Sequence, residues 1–252
     1  MVAPSSAGQG SVAVADHPPL PFSQAAWQRF STRAEQLGLG PCDGLRPGLE
    51  ALHGHLVGVN AWMNLTRVAG EDEYLQRHVL DSLMLLREDC LAAKPPLSCC
   101  DLGSGGGYPG LPLALAAPPH RWLLVDSRSR KVRFLAAAAS LVDSQRVRAL
   151  AFRGREVAHQ APNERGAHDL VTSRATGAVD IIAAEALELL KPQGHLVVWQ
   201  GPSFDAGEAD RLATAIPQRW WSSLRVSTYH LGPDEPSRSL VILRRSARLL
   251  AG

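Results

Sequence analysis

Apolar positions recur every three to four residues through the first third of the chain and then change to short continuous runs. Ala26, Trp27, Phe30, Ala34 and Leu37 share one face of a helix predicted from Ser23, as N-cap, to Leu37, with Gly38 stopping it. Leu49, Leu52, Leu56 and Val59 mark a second helix from Leu45 to Met63, and Leu75, Val79, Leu83 and Leu86 a third from Glu71 to Arg87. From Leu97 onward, runs of strand length appear at 97–102, 121–126, 147–152, 169–173, 194–199, 223–230 and 239–244. Helical patterns at 109–117, 129–142, 155–160 and 178–190 separate the first five runs, and one at 205–217 precedes the sixth. That alternation predicts a parallel sheet wrapped by helices. Gly232-Pro-Asp-Glu-Pro-Ser237 joins the last two runs and is too short for a parallel crossover, so they form an antiparallel hairpin.

The expected fold is therefore α/β and Rossmann-like: a seven-stranded, mostly parallel sheet over 93–252 with a C-terminal antiparallel hairpin, preceded by a helical cap over 22–92. Residues 1–21 are mostly Ala, Ser, Gly and Pro, with too little apolar surface to offset ordering, and are expected to be disordered. With 252 residues and 45% apolar content, one sizeable core can be buried. The net charge of +2 makes no claim for nucleic acid by itself; only a local basic patch would. Cys42, Cys90, Cys99 and Cys100 form no Cys-x-x-Cys pair, which argues against a zinc site or a disulfide framework. The sequence has no apolar stretch of membrane-spanning length and no basic-then-apolar signal at its start, so a cytoplasmic, membrane-free protein without a bound metal is expected.

The candidate chemistry gathers at Asp101-Leu-Gly-Ser-Gly-Gly-Gly-Tyr-Pro-Gly-Leu-Pro112, a strand, a glycine turn and a helix start. Gly103, Gly105 and Gly107 allow a sharp turn and close approach of backbone to a ligand. Pro109 and Pro112 suit the first turn of a helix, whose free N–H groups hold polar ligand groups. The turn alone fits either a nicotinamide dinucleotide or S-adenosyl-L-methionine. Asp126, ending the second strand, suits ribose hydroxyls in both cases. Asp101 discriminates, because a carboxylate sits badly beside a pyrophosphate and well beside an ammonium. Seven strands ending in a hairpin, the layout of class I methyltransferases, also favour S-adenosyl-L-methionine.

Ligands of such sheets bind past the carboxyl ends of the strands. Besides the glycine turn, the residues there are Asp126-Ser127, Arg153 to Glu156, Ser173-Arg174 and Gln200-Gly201. Glu156 either lies near an adenine or hydrogen-bonds its own loop, and Arg174 is a candidate for positioning substrate. His78 and Asp81, three apart, are expected to be neighbours on the surface of the third helix. Arg128, Arg130, Lys131 and Arg133 on the helix after strand two, with Arg153 and Arg155 after strand three, adjoin the predicted cofactor mouth and favour a phosphate-bearing substrate.

Several motifs together resemble one family. They are Asn64-Leu-Thr66, Arg77-His78-x-Leu-Asp81-Ser82, the glycine turn through Pro112, Leu124-Val-Asp126-Ser127, Lys131-x-Arg133-Phe-Leu135, Thr172-Ser-Arg174-Ala175 and Leu190-Lys-Pro192, in order over about residues 45 to 245. The chain resembles the bacterial 16S ribosomal RNA (guanine-N7)-methyltransferase G family, also called glucose-inhibited division protein B. The resemblance implies a monomeric, cytoplasmic enzyme methylating a guanine in the decoding region of small-subunit RNA. It implies cofactor contacts at Gly103, Tyr108, Arg155-Glu156 and Arg174, with Asn64, Arg77, His78, Arg128, Lys131 and Arg133 toward RNA. The chain departs from the family pattern at Gly154, where an arginine is common, and at Gln200, where a lysine often precedes the glycine. A methyltransferase of the same fold acting on a small molecule or protein, and a cofactor-dependent RNA-binding protein without catalysis, remain alternatives on sequence.

Overall fold

A computed structural model describes residues 17–63, 65–67, 70–92, 96–174 and 177–247. Helix α1, Gln24–Gln36, starts where Ser23 Oγ accepts from the Ala26 amide at 3.1 Å and ends at Gly38, whose φ is +75°. The Ser23 hydroxyl also donates to Glu71, so one residue caps α1 and ties it to the third helix. Helix α2 is Arg46–Met63. It carries two interior glycines, each costing roughly 1 kcal/mol against alanine. Their reason is packing: a Cβ at Gly54 would overlap the Pro18 carbonyl, and one at Gly58 would overlap the His17 ring. Residues 17–21, expected within a disordered extension, thus lie along α2, where the Leu20 amide donates to the Glu50 carbonyl at 3.0 Å. The rest of that expected extension lies outside the described residues.

The third helix departs from a regular α-helix. It is α-helical over Glu71–Glu73, π-helical over Tyr74–Leu80, α-helical again over Asp81–Leu83 and 3-10 over Met84–Arg87. The wider π turn changes which residues share a face. Asp81 is buried, only 1% exposed, rather than on the helix surface, while it and His78 remain neighbours around one guanidinium, that of Arg174.

The sheet has the order β3-β2-β1-β4-β5-β7-β6. The strands are β1 Ser98–Leu102, β2 Arg121–Asp126, β3 Val147–Ala151, β4 His168–Arg174, β5 Leu190–Gln200, β6 Trp221–Tyr229 and β7 Arg238–Arg245. β1 to β5 pair in parallel, while β7 pairs antiparallel with both β5 and β6, as the short connection requires. The central strands are apolar on both faces because helices cover both. On one face Trp122, Leu124, Leu170 and Val197 join the core of the three N-terminal helices and the helices Gly110–Ala116 and Ser129–Val142. On the other, Leu123, Val171, Leu196 and Val198 pack against Gly154–Gln160, Val179–Leu189 and Ala206–Ala215. The helical cap and the sheet therefore share one continuous core. All four cysteines are buried as free thiols, and burial holds Cys90, Cys99 and Cys100 well above the usual thiol range. No described helix is long and apolar enough to cross a membrane.

Candidate functional site

The strand order reverses between β1 and β4, and past their carboxyl ends lies a cleft of about 700 Å³. Its floor is the glycine turn. Gly103 and Gly105 line it with φ of +71° and +58°, in the left-handed region that glycine adopts without strain. Gly107, at +94°, does not line the cleft; a Cβ there would overlap the Leu111 side chain, so this glycine lets the following helix pack against the turn.

Asp101 differs from its expected role. It is fully buried and lies outside the cleft lining. Oδ1 accepts from Thr172 Oγ1 at 2.8 Å, and Oδ2 from Ser104 Oγ at 2.6 Å and the Gly110 amide at 3.2 Å. The carboxylate braces the glycine turn from within and is not offered to a ligand ammonium. Burial pushes its carboxyl up to about 6, against the pull of those hydrogen bonds. Asp126 does line the cleft: Oδ2 accepts from the Gly105 amide at 3.1 Å, Oδ1 from the Arg128 amide at 2.9 Å, and Lys131 Nζ stands 3.9 Å away. Two acceptor oxygens with spare lone pairs at this position suit a vicinal diol.

Leu102, Phe152 and Ile182 supply an apolar wall, and Ile181, 61% exposed, stands at the same cleft. Phe152, expected within the strand run 147–152, instead stands just past the end of β3, and no sequence motif marks it or the two isoleucines. Glu156 is spent locally: its carboxylate accepts from the Arg153 amide at 3.2 Å in a capping arrangement, and the residue does not line the cleft. Arg155 does. A Cβ at Gly154 would meet the end of the Glu185 side chain, whose carboxylate also accepts from the Arg155 backbone.

Thr66, His78, Tyr108 and Arg174 form the remaining side of the cleft. The His78 ring stacks on Tyr108 with centroids 4.3 Å apart and planes within 8°, and the Arg174 guanidinium lies 5.3 Å from the Tyr108 ring centre. Arg174 Nη2 donates to His78 Nδ1 at 3.1 Å, which leaves His78 Nε2 to donate to Thr66 Oγ1 at 3.2 Å. Arg174 Nη1 donates to the Arg77 carbonyl at 3.0 Å and to Asp81 Oδ2 at 2.9 Å. Arg77 itself is exposed, pairs with Glu73, and reaches the site through its backbone. Of the basic rim, Arg128, Lys131, Arg153 and Arg155 line the cleft; Arg133 is exposed outside it. Gln200 and Gly201 end β5 away from the lining. Asn64 lies outside the described residues. Among the described residues no group of three or more His, Cys, Asp or Glu side chains is placed to hold a metal ion.

The glycine turn, the strand-two acid and the apolar wall thus meet in one cleft. The architecture is that of class I methyltransferases. A solved Agrobacterium tumefaciens structure described as a predicted O-methyltransferase, protein Atu636, superposes with a TM-score of 0.52 at 19% identity, covering 68% of this chain and 80% of that one, a likeness of fold alone. Sequence similarity is closer. A Synechococcus sp. (strain JA-3-3Ab) ribosomal RNA small subunit methyltransferase G is 30% identical over 231 residues, 90% of this chain and 86% of the relative. Its Prochlorococcus marinus (strain MIT 9313) namesake is 40% identical over 158 residues, 62% of this chain and 63% of that protein. The family model for GidB, rRNA small subunit methyltransferase G, matches residues 47–228, which span the third helix, the glycine turn and the cleft, and the chain belongs to that family.

Proposed function

We propose that this chain is an S-adenosyl-L-methionine-dependent methyltransferase that modifies N7 of a guanine in the decoding region of 16S ribosomal RNA, acting as a cytoplasmic monomer on that RNA or on the small subunit. The observation that carries the reading is the adjacency of two features. A glycine turn locked to Asp126 adjoins Arg128, Lys131, Arg153 and Arg155 on the rim of one cleft. The relatives' names and the family membership support ribosomal RNA as the substrate.

In this reading Gly103 and Gly105 cradle the methionine end, Asp126 accepts from the ribose hydroxyls, and Phe152, Ile182 and Arg155 flank the adenine. S-adenosyl-L-methionine supplies an activated methyl group on a sulfonium. Tyr108 and Arg174 also contact the cofactor, Arg174 and His78 face the guanine, and Arg128 and Lys131, with Arg133 and Arg77 farther out, take phosphates. Guanine N7 carries an in-plane lone pair and no proton, so the site has to align and needs no general base. The His78 arrangement agrees with this, because its Nδ1 is already accepting from Arg174 and its Nε2 from then on is a donor. Asp101 and Gly107 shape the turn from beneath without touching either ligand.

The test is methyl transfer from radiolabelled S-adenosyl-L-methionine to purified small subunits and to bare 16S RNA, followed by chemical cleavage at N7-methylguanine. One cleavage product in the decoding region at near-stoichiometric yield is expected. Incorporation without N7 cleavage would move the reaction to another atom, and no incorporation into RNA would reject the substrate.

A further inference from the structure

Asp81 is buried, yet it touches four strands at once, β4, β5, β6 and β7. Its Oδ1 accepts from the Tyr229 hydroxyl at 2.7 Å and lies 3.6 Å from Arg238 Nη1; its Oδ2 accepts from Arg174 Nη1 at 2.9 Å. Its backbone carbonyl accepts from Trp199 Nε1 at 2.8 Å. Two guanidiniums thus share one buried carboxylate, which leaves the cluster with an excess positive charge beside the cleft. A buried carboxylate so fully engaged holds its partners in fixed directions. Arg174 has five N–H groups. Asp81 and the Arg77 carbonyl take both on Nη1, and His78 takes one on Nη2. Nε–H and the second Nη2–H have no hydrogen-bond partner among the described residues, and Arg174 lines the cleft.

We infer that Asp81, itself oriented by Tyr229 and Arg238 of the C-terminal hairpin, is the positioning residue of the methyl-transfer site: it pins Arg174 so that the remaining N–H donors and the stacked His78 are presented to the target base. Those donors match an acceptor on the edge of a purine such as guanine O6 and oppose the amino group that adenine carries there. The inference rests on the proposed placement of Arg174 against the substrate. It also assigns the hairpin a task in the reaction: Tyr229 at the end of β6 and Arg238 at the start of β7 reach Asp81 from about 150 residues away.

A double-mutant cycle on the full chain tests it, using Tyr229→Phe and Arg174→Ala with single-turnover methyl transfer to small subunits. Tyr229→Phe is expected to slow transfer about tenfold in the wild-type background and less than twofold when Arg174 is already alanine. Equal slowing in both backgrounds, or none in either, would overturn the positioning role. Unchanged transfer and unchanged cofactor affinity in Arg174→Ala alone would instead remove Arg174 from the site, and the inference with it. Nitrogen-15 spectra of the free protein give a readout independent of turnover. His78 is expected to be held as the Nε2–H tautomer in the wild type and to become a tautomer mixture in Tyr229→Phe and in Asp81→Asn; a tautomer unmoved by either change would overturn the linkage. Tyr229→Phe keeps the test open should Asp81→Asn, which leaves two guanidiniums without their carboxylate, fail to fold.

Discussion

The amide of Gly105 donates to Oδ2 of Asp126 at 3.1 Å, so the glycine turn after β1 and the acid ending β2 are one unit. Removing the carboxylate both frees the turn and deletes the acceptors proposed for the ribose. Asp126→Ala is expected to weaken S-adenosyl-L-methionine binding at least about tenfold, a loss of roughly 1.4 kcal/mol. Calorimetry checks it, and unaltered affinity would remove Asp126 from the cofactor site.

Gly105 and Gly107 separate the two jobs of the turn. At Gly107 an added Cβ meets Leu111 as well as an unfavourable φ, so Gly107→Ala is expected to cost about 2–4 kcal/mol of folding stability. At Gly105 the nearest atoms are Lys131 Nζ at 3.6 Å and the Gly103 carbonyl at 3.7 Å, so Gly105→Ala should cost only the backbone strain, about 1–2 kcal/mol. Denaturant unfolding of both variants, with cofactor titration beside it, should show the larger stability loss in Gly107→Ala.

Asp101 gives the stability a pH signature. Its folded carboxyl titrates near 6, above its unfolded value, so the folded state binds the extra proton between the two. The group's contribution is full below about pH 4 and is lost as pH rises toward about 6. The stability of the wild type minus that of Asp101→Asn, in which other groups cancel, should therefore fall between about pH 4 and 6 and flatten above. A difference that rises with pH would contradict a carboxylate whose burial outweighs its three hydrogen bonds.

Gly58 should defy helix propensity. Alanine is worth roughly 1 kcal/mol more than glycine in a helix interior, yet a Cβ here collides with His17. Gly58→Ala is expected to lower the melting temperature of the full chain, and adding His17→Gly is expected to restore it. A single variant more stable than wild type would mean that residues 17–20 do not pack on α2.

The sheet was legible because burial on both faces makes its strands continuous apolar runs, and because Gly232–Ser237 is too short for anything but a hairpin. The cleft was legible as far as backbone chemistry dictates it, at Gly103, Gly105 and Asp126. What sequence concealed depends on contacts between distant segments. Asp101 reads the same whether it faces a ligand or Thr172, which lies 71 residues on. Glu156 was open to two readings and took the local one, because a carboxylate at the third helical position reaches the cap amide. Asp81 neighbours His78 as the spacing implies, but its burial comes from Arg174, Trp199, Tyr229 and Arg238, which lie at least 93 residues on. Gly54 and Gly58 carry no signal in sequence, because what requires them is the segment from His17 to Leu20 packed beside them.

The most direct test of the account is mass mapping of methylated nucleotides in small-subunit RNA from cells with and without this protein. The account predicts loss of a single N7-methylguanine in the decoding region, restored by the wild-type chain and not by Gly103→Arg, whose side chain would fill the floor of the cleft. An identical map with and without the protein would contradict it, leaving the fold in place and sending the search for substrate elsewhere.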